Sequence, residues 1–505
     1  SVLLTIVSQE ADETGVITRL TDGQGNGYTH TLCFDAATNV CAVNVEYENG
    51  TGKEQVLESL QSFSVSGIRN PAFARVTDEG LRLVRMTSAW SRECRLKEDE
   101  LCELGMDMSW ARYGVKCERF GQVGSMPNRG WFPFAALTDG AGGFTLAAMP
   151  EAPYSWQIEL YKEKETCALS GGLADYEFGH WCKTIPAGGR FKTHNAYLRV
   201  RRGTVQDACN DFVRFQSDRL AVPAGEDGLP VLFNEYCTTW GVPSEENIRA
   251  ILKAAEGLPF GYFVVDCGWY KPDDCGWCNA TGDWVPSKTL FPRGVKAVAD
   301  LIRAQGMVPG IWFEFEVAGR DSRAFQKEKL LLTRDGVPLT TKNRRFFDLR
   351  KEKVQAYIQQ KMCDFLRENG FGYLKIDYND NYGMGCDGAE SLGEAGLAGE
   401  AQRGGARYRH RKLLLGRRPY RAAAHAKGIH VQLFGRARVR RDPARRGERV
   451  ARHPRAAEPD LGGFARTGQR FAHRVVADGG DVRAHLYFGG HPAPYQRAAA
   501  GARRG

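Results

Sequence analysis

Apolar and polar positions alternate with a period of two through most of the first 225 residues. Leu81-Arg-Leu-Val-Arg-Met86 and Trp156-Gln-Ile-Glu-Leu-Tyr161 are examples, and Gly, Asp and Asn turns separate such runs. This alternation predicts half-buried strands. Helical periodicity is scarce here, so residues 1–225 predict a large antiparallel β-sandwich domain. The stretch 221–230, Ala-Val-Pro-Ala-Gly-Glu-Asp-Gly-Leu-Pro, reads as a linker.

From Val231 the period changes. Residues 231–236 predict a strand. Ser244 then caps a helix with Glu245 and Glu246 in its first turn and Ile248, Ile251, Leu252 and Ala255 on its apolar face. Residues 261–266 and 307–314 predict two more strands, separated by a helix lined by Val295, Val298, Ala299, Leu301 and Ile302. Residues 345–349 predict a fourth strand. Val354, Tyr357, Ile358, Met362, Phe365 and Leu366 predict a long helix closed by Asn369-Gly370, and 372–376 a fifth strand. Five such units in series imply a parallel sheet. Acidic residues stand where most strands end: Asp266, Glu314 with Glu316, Asp348 and Asp377. In a (β/α)8 barrel those ends face the active site, so residues 226–394 are expected to be the first part of one. The plain alternative is that each acid caps the turn or helix that follows.

Composition alters the picture at the C-terminal end. The net charge of +9 is uneven: residues 401–505 hold 25 Lys and Arg against 6 Asp and Glu, leaving 44 against 54 in residues 1–400. Residues 401–505 have no Ser, Asn, Met, Trp or Cys, and Arg, Ala and Gly fill 58 of these 105 positions. A folded domain uses all common residue types. Residues 395–505 are therefore expected to be an aberrant, non-natively folded tail, read out of frame from a G+C-rich gene. A basic nucleic-acid-binding arm is the weaker reading, since such arms mix in Lys and Ser. No nucleic acid and no membrane is expected as partner, and oligomeric state is left open. No apolar run reaches the ~18 residues a membrane helix needs. The start, Ser1-Val-Leu-Leu, has neither Met nor a basic region and looks truncated or processed.

All 14 Cys precede residue 400. Cys275-Gly-Trp-Cys278 stands without a second pair or His partners, so reduced thiols in a cytoplasmic protein are expected rather than a zinc site. No cofactor and no metal is implied.

The candidate chemistry centres on Tyr373-Leu-Lys-Ile-Asp377-Tyr-Asn379. Lys375, Asp377 and Asn379 share one face of the strand and its extension. Lys375 is expected to keep Asp377 ionised by Coulomb attraction. Asn379 can donate to and accept from hydroxyls. Trp240, Trp269 and Trp312 each offer an apolar face, with core packing as the alternative.

Three motifs carry a resemblance. Val265-Asp266-Cys267-Gly268-Trp269 resembles Asp-Asp-Gly-Trp, Gly310-Ile-Trp312-Phe-Glu314-Phe-Glu316 resembles Gly-Leu-Trp-Phe-Glu-Pro-Glu, and Lys375-Ile-Asp377-Tyr-Asn379 resembles Lys-Trp-Asp-Met-Asn of glycoside hydrolase family 36, the bacterial α-galactosidases. Trp131-Phe-Pro-Phe and Ser155-Trp-Gln-Ile-Glu are similar to the β-supersandwich preceding its barrel. The resemblance spans 128–393 and implies retaining hydrolysis of α-galactosides by double displacement. Asp377 matches the nucleophile. Lys375 and Asp266 match groups that bind sugar hydroxyls. Two departures stand out. Cys267 replaces an Asp that reads the axial hydroxyl of galactose, which leaves another α-glycoside, or a transglycosylase, open. The family's acid/base Asp falls in the aberrant tail, where Asp442, Asp460, Asp478 and Asp481 lack a matching context. The chain is therefore expected to be catalytically impaired, or a carbohydrate-binding relative without chemistry.

Overall fold

A computed structural model describes residues 3–89, 91–106, 116–217, 219, 230–383, 385–387, 471–477 and 480–486. The expected linker, Pro230 apart, lies outside the described residues. So does the expected aberrant tail, except for Phe471–Ala477 paired antiparallel with Gly480–Leu486. Among the described residues no helix is long and apolar enough to cross a membrane.

The two-residue period of the N-terminal region forms antiparallel strands. Leu4–Asp12, Gly15–Asp22, Gly27–Asp35 and Val40–Glu48 run as a meander in a ten-stranded sheet. A four-stranded sheet joins Gln61–Ile68, Thr166–Leu173, Trp156–Glu163 and Cys117–Gln122. The two sheets share one core, in which Phe63, Trp156, Ile158 and Leu169 of the smaller meet Phe132, Phe134 and Leu146 of the larger.

The second region is a parallel sheet of four strands, β1 (Val231–Asn234), β2 (Phe260–Val265), β3 (Val308–Phe313) and β4 (Tyr373–Ile376), in that spatial order. Helices α1 (Glu245–Ala254), α2 (Gly294–Ala304), α3 (Glu352–Ile358) and α4 (Phe365–Asn369) connect them. Ser244 caps α1 by accepting from the Asn247 amide at 3.0 Å. The long helix expected after residue 350 is continuous but contains a π-helical stretch, Gln359–Asp364, between α3 and α4. The architecture is an incomplete (β/α)8 barrel behind an antiparallel β-rich region.

One expected strand is absent from the parallel sheet. Arg344–Phe346 pairs antiparallel with Val317–Gly319 and Thr340–Thr341 instead. This segment is too short, and too rich in Arg, to be buried between parallel neighbours. β3 and β4 therefore pair directly, and Asp348 is not a strand-end acid. Burial pushes its carboxyl up, but hydrogen bonds and charge from Arg350 outweigh this and hold it below the usual value. For Asp348 the plain capping alternative is the correct one.

Register decides which side chains meet. Val265 lies opposite Ile311, and Trp312 opposite Lys375. With the two-residue period, Asn234, Asp266, Trp312, Glu314, Lys375 and Asp377 share the inner face. Ile311, Leu374 and Ile376 share the outer face and pack with Ile248, Leu252, Val295, Val298 and Ile302. Gly310 makes room on the inner face: a Cβ there would lie 2.8 Å from Tyr373 Cδ1 and 2.9 Å from Val264 Cγ2.

The sandwich grips the loop that follows β4. Ser125 N donates to Asn381 Oδ1 at 3.1 Å, and Asn381 Nδ2 donates to Val123 O at 3.3 Å. Gly124, at φ +106°, lets the chain pass; a Cβ there would lie 2.1 Å from Asn381 Oδ1. We expect Gly124→Ala to lose about 1–3 kcal/mol through backbone strain and displacement of Asn381. Thermal unfolding checks this; an unchanged transition would contradict the close approach.

Candidate active site

Parallel strands place all their carboxyl ends on one edge. The residues leaving the ends of β1 to β4 here are Asn234-Glu235, Asp266-Cys267, Glu314 and Asp377. All four ends carry an acid directly after the strand: Glu235, Asp266, Glu314 and Asp377.

Asp377 is half-buried. Its backbone N–H donates to Phe313 O at 3.0 Å, which extends the β3–β4 ladder by one bond and fixes the residue on the edge. Its Oδ2 accepts from the Trp312 indole at 3.1 Å and its Oδ1 from the Tyr378 amide at 3.1 Å. Both bonds fix the direction of the carboxylate. The sequence reading placed Lys375 beside it. In the structure Lys375 Nζ donates to Asp266 Oδ2 at 2.5 Å instead. Asp266 is buried and also accepts from Asn234 Nδ2 and the Cys267 amide, each at 2.8 Å. A buried carboxylate beside Lys375 is a stronger attractor than the half-exposed Asp377.

The indoles divide three ways. Trp269 is fully buried, donates its N–H to Trp312 O at 2.8 Å, and stacks on Trp284 and Phe365. It is core, not a sugar platform. Trp312 is also fully buried; it serves Asp377 through Nε1 rather than through an open face. Trp240 is 68 % exposed. Asn379 is exposed, but its N and Nδ2 both donate to Glu314, at 2.7 and 3.2 Å.

Sequence reasoning assigned no role to Glu235, Arg344, Lys342 or Asp380. Glu235 is fully buried between the ends of β1 and β2. It accepts from the Asp266 amide at 2.7 Å and from the Thr239 hydroxyl. Burial pushes its carboxyl up to about 7, against the pull of those hydrogen bonds. The sequence reading ran β1 on to residue 236, which hid Glu235 inside a strand. Arg344 is buried and donates to Glu314 Oε2 at 2.7 Å, lies 3.2 Å from Asp380 Oδ2, and covers the Trp277 ring at 5.4 Å. Asp380 also receives Lys342 Nζ at 2.8 Å. Burial raises the Glu314 carboxyl, and Arg344 opposes the rise. Arg344 could have been found only by knowing that its segment folds back over the edge.

The loop from Asp377 to Asn381 is thus tied at each end and in the middle. Trp312 holds its start, Glu314, Arg344 and Lys342 its centre, and the sandwich its end. Cys267 is buried, and burial with the neighbouring Asp266 charge pushes its thiol well up, so it stays neutral. Cys275 and Cys278 are free thiols, and Cys275 Sγ contacts Asp321 Oδ2 at 3.2 Å. Among the described residues no group of three or more His, Cys, Asp or Glu is arranged to hold a metal ion. The edge can present one half-exposed carboxylate beside a charged, hydrogen-bonding floor. Candidate acids Asp442, Asp460 and Asp478 lie outside the described residues, and of Asp481 only its place in the second hairpin strand is described.

Residues 191–391 match the Melibiase family model. The α-galactosidase Mel36A of Lactobacillus acidophilus is 29 % identical over 263 residues, covering 49 % of this chain and 34 % of that protein. The α-galactosidase AgaB of Geobacillus stearothermophilus superposes with a TM-score of 0.66 at 19 % identity, over 78 % of this chain and 56 % of that one. AgaA of the same organism, solved as a variant in complex with stachyose, gives 0.64 at 19 % identity over 78 % and 55 %. At such identity the structures show a shared fold. The chain spans about a third of the length of the curated relative.

Glu235 yields a pH prediction. Its folded carboxyl titrates near 7, against roughly 4.3 when unfolded. The folded state therefore binds the extra proton between these values, and stability falls as pH rises through that window. Glu235→Gln keeps the shape and removes the titration. We expect the stability difference, variant minus native, to grow by about 2–3 kcal/mol between pH 4.5 and 7.5, read by denaturant unfolding. A difference independent of pH would contradict the buried, raised carboxyl.

Proposed function

We propose that this chain, which is α-galactosidase-like, belongs to glycoside hydrolase family 36 and carries the nucleophile side of a retaining α-galactosidase active site. One observation supports the reading above the rest. Asp377 stands on the carboxyl edge of the sheet, half-buried, with an indole N–H on one oxygen and a backbone N–H on the other. A carboxylate so held is aimed and only partly solvated, as a nucleophile toward an anomeric carbon must be.

In this mechanism Asp377 Oδ1 or Oδ2 attacks the anomeric carbon as the glycosidic bond breaks, forming a glycosyl ester that water later hydrolyses. Asp266 and Lys375 bind hydroxyls on the ring side away from that carbon. Their ion pair offers an acceptor and a donor held 2.5 Å apart, matched to neighbouring hydroxyls. The tied loop after Asp377 keeps the nucleophile from swinging. The acid that protonates the leaving oxygen has no assigned residue here. Its loss slows departure of a sugar alkoxide on the order of 10²–10⁴-fold. Domain limits near 225 and 394, and cytoplasmic action, belong to the proposal; the fourteen free cysteines support a reducing compartment.

Cys267 favours a second reading. A neutral buried thiol is a poor partner for a hydroxyl beside Asp266, so an α-glycoside other than a galactoside is kept as the alternative. Assay of α-glucosides beside α-galactosides separates the two.

We expect Asp377→Asn to reduce hydrolysis of a nitrophenyl α-galactoside by at least about 10³-fold while galactose binding stays within a few-fold. Turnover equal to the unaltered chain would remove Asp377 from the chemistry. We further expect the unaltered chain to cleave a galactosyl disaccharide far more slowly than the nitrophenyl substrate, whose leaving group needs little protonation. Comparable rates on both would show that an acid is present.

A further inference from the structure

Cys275-Gly276-Trp277-Cys278 places two thiols on either side of an indole. Both are free and half-buried. The Asn279 amide donates to Gly276 O at 3.0 Å and closes a turn here, so the cysteines stand within one turn of each other. The Cys275 thiol donates to Asp321 Oδ2 at 3.2 Å, on the exposed side. Burial and that carboxylate push it up to about 11, with a smaller contribution from the charge of Cys278, so it rests protonated at neutral pH. The mechanism above uses neither thiol.

The indole between them is a lever on the site. Trp277 meets the Trp312 ring edge-on at 5.7 Å, and the Arg344 guanidinium covers it at 5.4 Å. Trp312 in turn donates to Asp377, and Arg344 to Glu314. The backbone of the turn is pinned. Tyr270 Oη donates to Trp277 O at 3.1 Å, and the Asp321 amide donates to Asn279 O at 2.9 Å. Behind it there is no slack, since a Cβ on Gly319 would lie 2.7 Å from Cys278 O. A turn so fastened cannot take up a new bond between its sulfurs without moving the indole it carries.

We propose that Cys275 and Cys278 form a reversible disulfide that switches the site off under oxidation, by displacing Trp277 from Trp312 and Arg344. The oxidant is a low-molecular-weight disulfide of the glutathione kind. One thiolate attacks it and releases one glutathione as its thiol; the second thiolate then displaces the other glutathione from the mixed disulfide. Two S–H bonds and one S–S bond become one S–S bond and two S–H bonds, and two electrons pass from the cysteines to glutathione. Pairing also takes Cys275 off Asp321.

The test is equilibration of the full chain in buffers of graded reduced and oxidised glutathione, followed by alkylation and peptide mapping by mass spectrometry. A Cys275–Cys278 disulfide is expected to form at one midpoint. Tryptophan emission shifts at the same midpoint, and hydrolysis of a nitrophenyl α-galactoside falls about 5-fold or more. Dithiothreitol reverses all three. Cys275→Ser and, independently, Cys278→Ser hold the reduced emission and rate in every buffer. The disulfide and the emission are read without a sugar, so the switch is judged apart from the galactoside reading. No Cys275–Cys278 disulfide in fully oxidised glutathione overturns the proposal. So does a disulfide that leaves emission and hydrolysis unchanged, or an oxidative shift that persists in both serine variants.

Discussion

The ion pair between Lys375 and Asp266 is the constraint on which the edge of this sheet depends. Lys375 lies within β4 and Asp266 follows β2, so the pair spans β3. Two strand spacings amount to about 9–10 Å on a flat sheet. The Lys375 side chain reaches across β3 to close that gap. The contact fixes where two charged groups stand on the edge that also holds Asp377.

Burial gives the acids of this edge different characters. Asp266 has three hydrogen-bond donors, one of them a cation. Glu314 has Arg344 and both N–H groups of Asn379. Glu235 accepts from an amide and a hydroxyl, and burial drives its carboxyl, like that of Glu314, toward neutrality. Asp377 alone is left partly open. A carboxylate that must react cannot be wholly engaged by the protein, whereas those that hold the frame must be. The division between reacting and supporting acids follows from how many donors each strand end finds.

Much of this was legible in the sequence where side-chain periodicity is strong. The change from period two to strand–helix–strand at Val231, the Ser244 cap, and acids at the ends of β2, β3 and β4 all follow from local chemistry. What was not legible depends on register or on folding back. Lys375 pairs across two strands, which spacing along one strand cannot reveal. Residues 345–349 read as a fourth barrel strand from their place between helices, but Arg344–Phe346 pairs antiparallel with Val317–Gly319. Trp269 and Trp312 read as platforms because an indole's burial is invisible in a motif; only Trp240 is open. Glu235 was lost to a strand end misplaced by two residues.

Whether Asp377 forms a bond to sugar can be asked with a substrate that needs no general acid. A 5-fluoro-α-galactosyl fluoride supplies a leaving group that needs no proton and slows hydrolysis of the ester it leaves behind. Peptide mapping by mass spectrometry after incubation should find one fluorogalactosyl adduct, on the peptide containing Asp377, and none after Asp377→Asn. An adduct on another carboxylate, such as Glu235 or Glu314, would contradict the assignment of the nucleophile to the end of β4.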